Sequence, residues 1–326
     1  MDASRYRMRE AVDEDFPAIA AVRNRQFPDR PMSGEVLRAR DVEYLATDAP
    51  QRHFVIEEHV AGEVVAFGGI AVVIFAREAD CYWVEATVDP VHEHRGLGRM
   101  LADAIEEQAR AWAARALRTE LRGDRPRPLR FARARGFVER RRQWEARQDV
   151  ATVESGSGAV ALAELARQGI TLTTLAEEGP GREAVRRAVF AANMAASASI
   201  PRVGAWNPPT FEEYARSTLG GVGFLPDAFF LAKEGTRYVG LSVLEGVPDE
   251  PETLHQRMTG TIPGYERRGI ATALKRRTVE YARSHGYRTI RTTNDAENER
   301  MWRINERLGY RRTLETIRAE KTLPIG

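Results

Sequence analysis

Cysteine is almost missing from this chain of 326 residues: Cys81 stands alone, so no intramolecular disulfide can form. That excludes the disulfide-stapled secreted scaffolds and suits a reducing cytosol. Charge of either sign is also nearly balanced away. Lys and Arg total 49 against 47 Asp and Glu, a formal net charge of +2, which excludes a dedicated nucleic-acid binder whose affinity would rest on neutralising phosphates. Long apolar runs are absent too. The longest, Val64 to Ala76, is too short to span a bilayer and is broken by Gly68-Gly69, so it reads as a buried strand and no membrane partner is expected. Met1 to Glu10 shows no secretory signal, and a cytoplasmic location is the expectation.

What the chain does have is an internal repeat. Arg95-Gly96-Leu97-Gly98 returns as Arg268-Gly269-Ile270-Ala271, and Gly96 and Gly269 are separated by 269 − 96 = 173 positions. Pro90 and Pro263, and the pairs Gly136-Phe137 and Gly309-Tyr310, keep the same interval of 173. Coincident offsets of this kind mark two copies of one structural unit. A chain of 326 residues also matches the length expected for two domains.

Each copy places its Gly-rich turn between an apolar strand, Trp83 to Val88 or Arg257 to Ile262, and a long amphipathic stretch. The first N–H groups of a helix have no intrahelical partner and point at whatever occupies the turn. Glycine there permits positive φ and removes the Cβ that would block a phosphate. Arg95 and Arg99 flank the first turn, Arg267 and Arg268 the second. The expected ligand is a pyrophosphate. No G-K-[ST] follows either turn, which disfavours a kinase-like phosphate site.

The segments Val88-Asp89-Pro90…Glu93-His94-Arg95-Gly96-Leu97-Gly98 and Ile262-Pro263…Glu266-Arg267-Arg268-Gly269-Ile270-Ala271 resemble motif A of the GNAT acetyltransferase superfamily, usually written Q/R-x-x-G-x-G/A. Downstream, Asn294, Asn298, Met301, Asn305 and Leu308-Gly309-Tyr310 are similar to that family's N-x-x-A…Y-x-x-x-G-F signature. The resemblance implies an α/β chain of two acyl-CoA N-acyltransferase domains in tandem, each a mixed, mostly antiparallel splayed sheet flanked by helices. It implies acetyl-CoA as co-substrate without a metal, and a small-molecule amine as acceptor; the Ser-Gly stretch at 155–158 sets the two domains at residues 1–155 and 156–326. Val88, Arg95, Gly96, Gly98 and Arg99 in the first copy would contact the CoA. In the second, Thr261, Ile262, Arg268, Gly269, Ile270, Ala271, Thr272, Asn294 and Asn298 would do so. The Q/R position holds Glu93 and Glu266.

Periodicity places the elements. Tyr6 to Ala11 reads as a strand, Asp13 as the cap of a helix ending near Gln26, and Ser33 as the cap of another ending near Tyr44. His53 to Glu58 and Glu63 to Val73 form a hairpin around Ala61-Gly62. Leu97, Leu101, Ile105 and Ala109 make a helical stripe that buries one face. The second copy repeats this order from Ile170 to the helix closed by His285-Gly286. Ser155-Gly156-Ser157-Gly158 is a flexible break, followed by a connecting helix from Ala159 to Arg167.

Acetyl transfer to an amine needs a base, because an ammonium has no lone pair, and a donor for the oxyanion formed at the thioester carbonyl. Glu85 lies in the strand that flanks the acetyl group and is the candidate base of the first copy; a solvated strand carboxylate is the simpler reading. The equivalent strand of the second copy, Gln256 to Ile262, has no carboxylate, and Gly260 is the expected bulge there. The family's usual acid, a Tyr seven residues after the signature Asn, is replaced by Asn305, and by Ala132 in the first copy. Asn305 can orient a water but cannot release a proton. The fuller asparagine signature favours the second copy as the CoA site. The two missing tyrosines leave a non-catalytic acyl-CoA-binding protein as the alternative.

Overall fold

Five left-handed backbone positions recur at the interval that relates the two copies. Gly62 and Gly235 have φ of 66° and 59°, His94 and Arg267 62° and 64°, Gly96 and Gly269 both 84°, Ala113 and Gly286 53° and 77°, and Gly136 and Gly309 86° and 81°. Residues other than glycine seldom adopt this region, so the repeat is one of backbone conformation as well as of sequence.

The computed structural model describes residues 5–45, 49–74, 78–153, 158–198, 200 and 206–324. The first copy runs β1 (Tyr6–Glu10), α1 (Phe16–Gln26), α2 (Gly34–Tyr44), β2 (Arg52–Glu58), β3 (Glu63–Ala71), β4 (Cys81–Val88), α3 (Leu97–Ala111), β5 (Ala116–Arg122), α4 (Pro126–Ala134) and β6 (Val138–Asp149). After α5 (Gly158–Arg167) the second runs β7 (Ile170–Thr174), α6 (Leu175–Glu178), α7 (Glu183–Ser197), α8 (Phe211–Ser217), β8 (Phe224–Glu234) and β9 (Arg237–Gly246). It ends with β10 (Thr253–Thr261), α9 (Ile270–Ser284), β11 (Thr289–Asp295), α10 (Glu299–Arg307) and β12 (Arg311–Thr322). Of the flexible break, Ser155, Gly156 and Ser157 lie outside the described residues, and Gly158 opens α5.

Local signals account for most boundaries. Ser33 caps α2 by accepting from the Val36 N–H at 3.3 Å. At α1 the expected Asp13 cap is not what forms. Residues 13–15 make a 3₁₀ turn ahead of the helix, and it is Asp15 that accepts from the Val12 N–H at 2.8 Å while also binding Arg9. Both acids bind an arginine, Asp13 that of Arg38 and Asp15 that of Arg9, and only Asp15 is buried. The stripe Leu97, Leu101, Ile105 and Ala109 is buried on α3, against Ile70, Val72, Tyr82 and Leu117. On the opposite face α1 sets Ile19 and Val22 against Val55 and Phe67. In the second copy Ile270 and Leu274 of α9 pack with Leu241, Leu254 and Ile290.

The strands form a single sheet in the order β1-β2-β3-β4-β5-β12-β6-β11-β10-β9-β8-β7. The copies exchange their last strands: β12 of the second pairs with β5 of the first, and β6 of the first with β11 of the second. All pairings are antiparallel except β4 with β5 and β10 with β11. These two parallel pairs part after a few residues and create a notch in each half.

Candidate active site

In the first copy β4 pairs with β5 only over Cys81–Trp83, whereas its other edge follows β3 as far as Val88. The Asp89 N–H donates to Val65 O at 2.9 Å. Antiparallel alternation then turns the N–H and C=O of Val84, Ala86 and Val88 away from β3 and into the notch. The Val88 carbonyl is met there by Gln26 Nε2 at 3.1 Å. The amides that remain are fixed donors of the kind an oxyanion requires. In the second copy β10 leaves β11 after Gln256. Ile262 donates its N–H to Val239 O at 3.1 Å and buries its side chain, so it has no donor to offer a ligand; Thr261 faces the notch instead.

The Gly-rich turns adopt the conformation their sequence requires. Gly96 and Gly269 are the N-caps of α3 and α9, each at φ 84°, and a Cβ built on Gly269 would meet nothing within 4 Å. Gly98 is equally open, with Val88 Cγ2 at 3.7 Å as nearest neighbour. The arginines are less available. Arg95 donates to Tyr6 OH at 2.8 Å and to Val91 O at 3.2 Å, and Arg99 pairs with Asp103 at 3.6 Å. Arg268 donates to Gln168 Oε1 at 3.1 Å and lies over the Tyr265 ring at 4.8 Å. What both turns hold open toward an anion is the set of backbone N–H groups at the helix start, with the helix dipole behind them. Ala271 and Thr272 occupy the first turn of α9, half-buried, and the Ile270 side chain belongs to the core.

A cleft of about 1230 Å³ runs through the first notch, lined by Val84 to Val88, the turn from Glu93 to Arg99, Ala102, Ile105, Phe137 and the α1–α2 loop. That loop is pinned across the notch. Asp29 takes both oxygens to Arg122 Nη1 at 2.8 Å, Arg30 binds Glu145 of β6, and Arg125 donates to Gln26 O at 2.9 Å.

Glu85 is on the cleft floor, and the sheet gives it a neighbour that the sequence does not advertise. His53, Gly69 and Glu85 stand side by side on β2, β3 and β4. A Cβ on Gly69 would strike His53 Cδ2 at 2.6 Å, so the imidazole lies over the glycine. Asp41 of α2 is 3.5 Å from His53 Nδ1. Glu85 is open to solvent in the cleft, yet the protein packed around it and the Asp41 carboxylate push its carboxyl above the ordinary range, against the opposing pull of His53 and Arg23. Burial raises Asp41 to about 6 and lowers His53. Gly68-Gly69 inside a strand was the available signal for this close approach.

The second copy is arranged differently. Its β-bulge falls at Arg257, between Gln256 and Met258, rather than at Gly260. Gly260 lacks a side chain for another reason: a Cβ there would press on Met258 Cε at 2.8 Å and on Ala196 of α7. Met258, downstream of the bulge, is the counterpart of Glu85 at the interval of 173. Asn298 is the N-cap of α10, accepting from the Met301 N–H at 3.2 Å. Asn305 is fully buried and donates through Nδ2 to Asn294 Oδ1 at 2.6 Å. All three asparagines thus have structural partners within the second half. Within the described residues, His92 of the first turn engages Tyr6 OH at 3.1 Å, and Glu93 accepts from Gln26 and Arg127.

Two segments, 8–137 and 191–310, match the model of the acetyltransferase (GNAT) family. The chain belongs to that family, and holds it twice. It is an acyltransferase that moves an acetyl group to an amine. It is 28% identical to a protein named mycothiol acetyltransferase from Beutenbergia cavernae, over 97% of this chain and 100% of that one. A protein of the same name from Stackebrandtia nassauensis is 26% identical over 74% of each chain. Among solved structures, a GCN5-related N-acetyltransferase from Sphaerobacter thermophilus is similar with a TM-score of 0.72 at 22% identity, over 98% of this chain and 96% of that one. A tandem GNAT protein from the clavulanic acid biosynthesis pathway gives a TM-score of 0.75 at 17% identity, over 97% and 98% of the two chains.

Proposed function

We propose that the first copy is the catalytic half, that acetyl-CoA is the donor, and that the acceptor is a primary amine of a small molecule entering from the α1–α2 side. The observation that carries this reading is Glu85, which lines the cleft at the end of the row His53, Gly69 and Glu85. The pyrophosphate would sit on the amides opening α3, with Gly96 and Gly98 leaving room for it, and the pantetheine arm would pass between β4 and β5. Glu85 takes the proton from the acceptor's ammonium, directly or through water. The freed amine attacks the thioester carbon, and the oxyanion is held by an inward N–H of β4. Collapse forms the amide and expels the CoA thiolate; the second proton, lost from the nitrogen, passes through water to the thiolate, since neither Ala132 nor Asn305 has an acidic proton to give. The whole-length similarity to proteins named mycothiol acetyltransferase supports a small-molecule acceptor, and the lone, buried Cys81 supports a reducing, cytoplasmic setting.

The test is CoA release with an amine panel. Glu85→Gln should lose roughly 10²-fold or more in turnover with acetyl-CoA affinity kept, and Gly96→Val should lose the affinity itself. Undiminished turnover in Glu85→Gln would move catalysis out of the first copy.

A further inference from the structure

The two notches are built on the same frame but not lined alike. Val84, Ala102, Ile105 and Phe137 border the open cleft of the first copy. On α9 and beyond, Lys275, Thr278 and Tyr310 follow Ala102, Ile105 and Phe137 at the repeat interval of 173. Upstream of the Arg257 bulge, Gln256 takes the place of Val84, opposite Leu244 of β9 as Val84 is opposite Ile70 of β3. A small or apolar set has become a polar one.

That polar set is closed on itself. Gln256 Oε1 accepts from Lys275 Nζ at 3.2 Å and from Tyr310 OH at 3.4 Å, and Thr278 Oγ1, 3.5 Å from it, donates to Lys275 O at 2.7 Å. Gln256 Nε2 donates to Ser242 Oγ at 2.8 Å, which meets Thr259 Oγ1 at 2.8 Å. The Lys275 ammonium lies 4.6 Å over the Tyr310 ring. Lys275 is 1% exposed, Gln256 2%, Tyr310 4% and Thr278 not at all. The long lysine chain fills the space that Ala102 leaves open in the first copy. A buried polar network of this kind is costly to break piecemeal.

We propose that Lys275, Gln256, Thr278 and Tyr310 form a plug that closes the second notch to the pantetheine arm, so that one chain takes one acetyl-CoA, in the first copy. The inference rests on the reading of the first cleft as the acetyl-CoA site. The second Gly-rich turn keeps a backbone open to an anion, and the plug would stand where an acyl arm has to pass behind it. Burial without a counter-charge also lowers the Lys275 amine to about 7, which lets it sit in the plug partly neutral.

Calorimetry with acetyl-CoA tests it. The unmodified chain should bind one equivalent, and Gly96→Val should bind none. A variant carrying the first copy's set, Gln256→Val with Lys275→Ala, Thr278→Ile and Tyr310→Phe, should bind two. With Gly96→Val added to that variant, one should remain. Each variant is checked for an unchanged circular dichroism spectrum, and the unmodified chain gives a result whether or not the fourfold variant folds. Two equivalents in the unmodified chain would overturn the plug while leaving the first-copy reading to the Glu85→Gln assay. One equivalent surviving in Gly96→Val alone would overturn both. A folded fourfold variant that still takes one would overturn the plug as the cause.

Discussion

Gln143 of β6 and Thr316 of β12 face each other directly in the sheet, and each is the other's counterpart, since 316 − 143 = 173. An approximate two-fold axis therefore passes between them. The strand order reads the same from either end when each strand is replaced by its repeat partner. Both residues carry a buried side-chain oxygen without a hydrogen-bond partner, Gln143 Oε1 and Thr316 Oγ1. Near the axis, Arg142 Nη1 binds Glu315 Oε1 at 2.8 Å, again a residue bonded to its own counterpart.

The exchange of β6 and β12 makes the halves inseparable without tearing the sheet. Limited proteolysis should cut first in the Ser-Gly stretch at 155–158. The nicked protein should still elute at the size of the intact chain in gel filtration under native conditions. Separation into two folded halves would contradict the exchanged pairing.

The raised Glu85 carboxyl fixes the direction of the pH profile. The base works only when ionised, so kcat/KM should fall on the acid side at a pH above the ordinary glutamate value. Asp41→Asn removes the like charge and should move that limb to lower pH. A limb that stays in place would show that the two carboxyls do not communicate. Stability has its own sign: the folded Asp41 value, about 6 against 3.8, means its ionisation opposes folding, so stability falls as pH rises from about 4 to 6.

Asn305 is enclosed and bonded to Asn294. Asn305→Ala should cost roughly 1–3 kcal/mol in denaturant unfolding by leaving Asn294 unpaired, with turnover by the first copy unchanged. Asn305→Tyr, which the family pattern would invite, should be poorly tolerated because the site is full. A stable, more active Asn305→Tyr would restore a catalytic reading of that position.

Lys275 predicts a stability trend at the alkaline end. Its folded value of about 7 lies below the 10.5 of an exposed lysine. Between these values the unfolded chain binds more protons, so the contribution to stability rises with pH through that window. Lys275→Met, of similar volume, should flatten the rise in Tm between pH 7 and 10. Identical slopes for the two proteins would show that the lysine keeps its proton when buried.

Much of this was legible in the sequence because it is local. The helical stripe from Leu97 to Ala109, the Ser33 cap and both Gly-rich turns depend on neighbours a few residues away. The Asp41–His53 pair and the Gly69 gap were not, since they bring together residues on α2, β2 and β3 through sheet register alone. Exchange of β6 and β12 is invisible for the same reason: either strand, rich in alternating charge, fits either partner as far as its own pattern tells. The asparagines pointed to the second half, but it is the packing around Lys275 that decides what space lies behind a Gly-rich turn.

The exchanged strands also set an order of events during synthesis. β5 is complete near residue 122, yet the strand that covers its edge, β12, begins at Arg311. On the ribosome the first half must wait through the making of the second with that edge bare, and such edges invite pairing with other chains. The cleft wall at Thr316 belongs to β12. The cleft of the first copy is thus walled by a strand made only after the other strands of the second copy.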